Sequence, residues 1–154
     1  MPERRQLKFA SLEEVMPEVE RLSAGYESVG QWSLGQICNH LKTSFDFVTS
    51  GVGGSWDSNA PEDPRFALIR ARFFRAGRFP DGKAAPFSEL VPGTGLDDRA
   101  EVEALRDALA RYALATGPFR AHPFLGSMTK EEWSQFQCLH AAHHLGFAVP
   151  LEPG

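Results

Sequence analysis

The sequence predicts an all-α bundle, on three observations. Ser11 with Glu14, Ser33 with Gln36 and Thr129 with Glu132 each place a hydroxyl three residues before a carboxyl or amide. That spacing lets the two side chains satisfy each other's orphan backbone donors at a helix start. Behind these points apolar residues recur at the 3.6-residue period of a helix, and Gly and Pro punctuate the gaps. The expected core is a four-helix bundle of segments 11–24, 33–50, 97–115 and 130–148. An extra short helix over 64–76 packs outside it, and a long Gly/Pro-rich connection covers 77–96.

At 154 residues the chain reads as a single domain, 1–154, long enough to bury a core. No apolar run reaches the roughly 18 residues of a membrane span, and the charged start MPERRQLKF lacks the apolar region of a signal peptide. Two cysteines are too few for a disulfide scaffold, which points to a reducing, cytoplasmic setting. A net charge of −4 argues against nucleic acid as a partner.

The first helix carries Leu12, Val15, Val19 and Leu22 as its stripe; Pro17 should kink or restart it, and Gly25 ends it. In the second, Trp32 can staple onto Ile37, with Leu41 and Val48 on the same face and Gly51 as the stop. Residues 51–63 read as a loop. Asp63 caps the short helix, which shows Phe66, Ile69 and Phe73 on one face and stops at Gly77. Six basic residues (Arg65, Arg70, Arg72, Arg75, Arg78, Lys83) face Asp81 alone in this region, either as a solvated helix face or as the rim of an anionic ligand site. Asp97 or Asp98 caps the next helix, with Val102, Leu105, Leu109 and Tyr112 inward and Gly117-Pro118 at its end.

The last helix poses the functional question. With Trp133 as reference, His140 and His144 fall about 20° to either side of it, in the middle of the core-facing stripe. Residues four apart bring Cβ atoms to roughly 5–6 Å, close enough for two imidazoles to share one metal. On the second helix His40 also lies on the buried half, beside Ile37 and Leu41. Three inward histidines on two long helices fit a bundle-core metal site; the alternative is a set of core histidines satisfied by protein hydrogen bonds. His143 should lie to one side as a pocket residue. His122 precedes a proline, so it should be extended and near the surface, outside the ligand set.

Other chemistries are excluded or weak. Cys38 and His40, like Cys138 and His140, are two positions apart and so near-opposite on their helices, which leaves both cysteines as free thiols outside any metal site. Ala141 follows His140 where a zincin would place its glutamate, and no G-x-S-x-G, G-x-G-x-x-G or P-loop occurs.

The segments WSLGQICNHL, HPFLGSMTKEEW and HAAHHLGF, with the RRQLKF opening, resemble the DinB-like superfamily of metalloenzymes, and more narrowly a branch of unknown function. The resemblance spans most of the chain. It implies a DinB-like four-helix bundle holding a divalent metal, zinc or nickel, on His40, His140 and His144. It also implies, by analogy, a thiol-dependent transferase or a hydrolase, with a low-molecular-weight thiol as cosubstrate; the basic segment from Arg65 to Lys83 suits a small, anionic substrate, and a homodimer is one permitted assembly. The other reading is a non-catalytic, metal-stabilised helical module for binding or stress response. Three ligands leave a coordination position open, as catalytic zinc sites do.

Overall fold

The computed structural model describes residues 3–50, 63–79, 90–116, 119–120, 122 and 125–151. Five α-helices dominate it: α1 (Val15–Ser23), α2 (Leu34–Ser50), α3 (Arg65–Ala76), α4 (Asp98–Leu114) and α5 (Lys130–Leu145). Two short strands, β1 (Tyr26–Ser28) and β2 (Ala148–Pro150), complete the order. Among the described residues no helix is long and apolar enough to cross a membrane. Most of the 51–63 loop, much of the 77–96 connection and the Gly117-Pro118 stop lie outside the described residues.

The predicted stripes close on one another. Val15, Val19 and Leu22 of α1, Ile37, Leu41 and Phe45 of α2, Leu105 and Tyr112 of α4, and Trp133 and Leu145 of α5 form one buried cluster. Each large side chain so removed from water stabilises the fold by about 1.5–3 kcal/mol before entropy is counted. α2 packs chiefly along α4, where the Phe45 and Tyr112 rings meet edge to face at 5.3 Å. The Tyr112 hydroxyl ties α4 to α5 through Ser134 Oγ at 2.9 Å. α3 buries no residue fully and leaves Ile69 exposed, though Phe73 and Phe74 rest on the core, so it stays peripheral as expected.

Two of the three expected capping boxes form. Thr129 and Glu132 exchange the reciprocal bonds that open α5. Ser33 N–H donates to Gln36 Oε1 at 2.9 Å, and Gln36 N–H to Ser33 Oγ at 3.2 Å. The Ser11–Glu14 box does not form: Ala10 N–H, one residue earlier, donates to the Glu14 carboxylate instead. The chain enters through a 3₁₀ turn, Leu12–Glu14, and becomes α-helical at Val15. Pro17 thus falls in the first α turn, where its missing N–H has no helical partner to lose. Asp97 caps α4 by accepting from Ala100 N–H.

The start of α2 has a second anchor. Asp98, the first residue of α4, accepts from Gly35 N–H at 2.7 Å and from the Tyr26 hydroxyl at 2.9 Å, while that hydroxyl accepts from Leu34 N–H. A Cβ on Gly35 would lie 2.7 Å from the Asp98 carboxylate, so only glycine permits this approach.

The last helix is shorter than the expected 130–148. It ends at Leu145, and the chain turns into β2, which pairs antiparallel with β1 in the register Tyr26↔Pro150, Glu27↔Val149, Ser28↔Ala148. Phe147 lies past the helix end. Captured carbonyls account for the stop: Arg5 N–H donates to Gly146 O and Val29 N–H to Phe147 O, both at 2.8 Å. The Arg5 guanidinium reaches Ala148 O and Leu145 O, and pairs with Glu18 of α1 at 2.9 Å.

Candidate metal centre

α2 and α5, each fixed by its cap, bring His40, His140 and His144 to one point. One nitrogen of each lies within 4.8 Å of the others, an arrangement that can hold a metal ion. The rings sit 4.5 to 4.8 Å apart between centroids. His40 and His140 are buried and His144 is half-buried.

Hydrogen bonding sets the tautomers. His40 Nδ1 lies 2.6 Å from Leu90 O. A carbonyl only accepts, so Nδ1 carries the proton and Nε2 presents a lone pair. That Nε2 faces His140 Nε2 at 2.9 Å. Two nitrogens on one ion with bonds of about 2.0–2.1 Å stand roughly 2.9–3.4 Å apart at ordinary cis angles. A proton on His140 Nε2 could bridge the pair instead; in either case His140 Nδ1 is a buried atom with no hydrogen-bond partner among the described residues. The space between the two nitrogens can therefore be filled by a shared proton or by an ion.

Burial keeps these imidazoles neutral, the form that binds metal. It lowers the His40 pKa, against a small opposing effect of the Leu90 bond. His140 is pushed well down by desolvation, then by His144 and His40. His144 falls to about 2 through desolvation and then the His40 and His143 rings.

Aromatic rings wall the site. Trp32 stacks on His144 at 5.4 Å and tilts over His40 at 5.1 Å. Phe79 lies 4.9 Å from His140, and Phe136 5.6 Å. One turn along both helices, buried Ser44 and Gln137 bond each other at 3.2 Å.

The remaining candidates separate cleanly. His143 stands beside the cluster, its ring 4.8 Å from His144, and its Nδ1 accepts from Arg4 at 2.6 Å. His122 is half-buried, less exposed than the sequence suggested. It bridges Gly126 and packs against Phe136 and Trp133, its Nδ1 accepts from Leu125 N–H, and desolvation drives its pKa to about 3. Cys38 and Cys138 are free and buried, with thiols pushed up to about 12 and about 11, chiefly by desolvation. Of the basic segment, Arg65 pairs with Asp63, Arg70 reaches Leu125 O and Glu132, and Arg72, Arg75 and Arg78 are exposed. Lys83 and Asp81 lie outside the described residues.

Sequence reasoning missed the Leu90 acceptor, because a backbone carbonyl has no residue signature. Trp32 was legible as a residue of the α2 start but not as a wall of the site, and Phe79 carried no sequence signal.

Residues 1–151 match the model of a family described as a protein of unknown function (DUF1569). No curated protein matches the chain, and no solved structure does.

Proposed function

We propose that this chain, which belongs to the DUF1569 family and inherits no established activity from it, is a DinB-like divalent-metal-dependent enzyme acting on a small, anionic substrate. The observation that carries this reading is the meeting of His40, His140 and His144, neutral and inward, with His40 Nε2 turned on His140 Nε2. The ligands would be those three, and the ion zinc or nickel, since imidazole suits both. Bound there, it would activate a water or a thiol at neutral pH. A thiol-dependent transfer or a hydrolysis follows from the resemblance, and the reaction class rests on that analogy.

The chain's own groups prepare the site. Leu90 O holds the His40 ring in the ligating tautomer, as outer partners of metal-bound histidines do. Trp32 and Phe79 keep water off the ring faces, while half-buried His144 marks the side from which a small molecule would approach. A net charge of −4 and two free thiols support a small-molecule partner and a cytoplasmic setting for a domain of 1–154.

The deep burial of His40 and His140 favours a second reading, a metal-stabilised module without catalysis. Metal content after purification without a histidine tag and dialysis against zinc or nickel tests the site itself. Alanine at His40, His140 or His144 should cut occupancy sharply, and His143→Ala should leave most of it. A native protein that binds no metal, and gains stability on His140→Ala, overturns both readings. A screen of thiols with electrophilic acceptors on the loaded protein separates enzyme from module.

A further inference from the structure

The polar content of the core is confined to one helix crossing. Tyr112, Trp133 and the two cysteines apart, four polar side chains are buried among the described residues: His40, Ser44, Gln137 and His140. Two stand on α2 and two on α5, and they meet in pairs across the same interface. His40 Nε2 lies 2.9 Å from His140 Nε2. Gln137 Nε2 donates to Ser44 Oγ at 3.2 Å, and the Ser44 hydroxyl stands 3.3 Å from Gln137 Oε1. The order is antiparallel, four residues up α2 against three down α5, so the second contact sits about 4.5–6 Å along the helices from the first.

The second pair is costly in an apolar core. Gln137 is fully buried, and Ser44 is 8% exposed. Burying an amide and a hydroxyl carries a desolvation penalty that their mutual bond only partly offsets, and apolar groups of the same shape do as well or better. Ser44 also passes over a nearer acceptor. Thr43 and Thr49 on the same helix donate to the carbonyls four residues back, Asn39 O and Phe45 O, whereas the Ser44 hydroxyl turns to α5. Leu41, Phe45, Phe136 and Ala141, buried on the same two helices, hold them together without directionality. A directional bond in such a setting selects one register, as a lone buried polar residue does in a coiled coil.

The register has a use one turn away. A metal constellation needs its ligands held to within about 0.5 Å by neighbours that are themselves locked. His144 travels with His140 on α5, so a slip of α5 along α2 would carry both away from His40 together.

We propose that the bond between Ser44 and Gln137 is a register pin, positioning α5 on α2 so that His40 Nε2 and His140 Nε2 meet. That the meeting serves a metal rests on the function proposed above; the pin itself does not.

The double variant Ser44→Ala with Gln137→Met, which replaces both partners by apolar side chains, tests it beside Val48→Ala, a core truncation on the same helix. Each untagged full chain is measured in two ways: zinc affinity by chelator competition at constant near-neutral pH, and the imidazole nitrogen resonances of His40 by NMR in the metal-free protein. The double variant should resist urea at least as well as the wild type. It should nevertheless bind zinc roughly tenfold or more weakly, with the His40 Nε2 resonance displaced toward that of an unbonded nitrogen. Val48→Ala should lose resistance to urea, yet change zinc affinity less than about twofold and leave His40 unmoved. Should the double variant not fold, Gln137→Met alone carries the same comparison, since the Ser44 hydroxyl can return to the carbonyl of His40. In a chain that takes up zinc, an unmoved His40 resonance or an unchanged affinity in the double variant overturns the pin, as does an equal loss in Val48→Ala, and the metal reading survives. In a chain that refuses zinc, a displaced resonance upholds the pin while the metal reading falls, and an unmoved one sinks both.

Discussion

Acidifying the metal-free protein from about pH 7.5 to about 5.5 loads directly on the buried imidazoles. Unfolded, each takes up a proton near 6.5. Folded, desolvation holds His144 at about 2 and His122 at about 3. Above 6.5 neither state carries the proton and stability is level. Below it the unfolded chain gains protons that the fold refuses, so stability falls with pH until those folded values are reached. One unit below 6.5 the loss is about 1.4 kcal/mol per imidazole, or about 3 kcal/mol for this pair. His40 and His140, lowered in the same direction, steepen it. Against a total of about 5–15 kcal/mol for an ordinary domain, such a loss is easily measured. Urea denaturation followed by far-UV circular dichroism, in EDTA at three pH values, reads it directly. His122→Gln should remove about one proton from the slope. Level stability down to pH 5.5 would refute the burial argument, and an unchanged slope in the variant would refute the part assigned to His122.

Three further outcomes follow from particular contacts. Asp98→Ala strips the carboxylate that accepts from Gly35 N–H and the Tyr26 hydroxyl, and should cost about 2–3 kcal/mol in chemical denaturation with no change in slope against denaturant. Gly146→Ala would set a Cβ 2.5 Å from Arg5 O; a loss of about 1–3 kcal/mol and faster amide exchange at Arg5 are expected. Cys38 and Cys138, with thiols raised by burial, should resist a disulfide reagent at pH 8 in the folded protein and react on unfolding, and serine at either position should leave metal content unchanged.

What the sequence showed and what it hid divide along range. Thr129 with Glu132 and Ser33 with Gln36 are partners within one turn, so their spacing alone located both helix starts. The inward placement of His40, His140 and His144 followed from helical period and the apolar neighbours of each. Ser11 and Glu14 have the same spacing, yet a competing donor one residue earlier took the carboxylate. The early end of α5 was invisible because its cause lies at Arg5 and Val29, more than a hundred positions away. The three-residue strands are too short to show a period, and their pairing is equally distant. The half-burial of His122 was not legible, because the local rule for a residue before proline sets its backbone and says nothing of the Trp133 and Phe136 rings beside it.

The division of the three imidazoles between helices has a consequence for folding. His140 and His144 stand one turn apart and are together as soon as α5 winds. His40 is one hundred positions from His140 and arrives only when the chain has closed on itself. Closing a loop of that length costs about 4 kcal/mol in chain entropy beyond a fixed constant. An ion gripped by all three would act as a removable clasp across that loop, its hold strengthening as the fold strengthens and failing with it. Toward such a protein a chelator behaves as a denaturant, and a denaturant as a chelator.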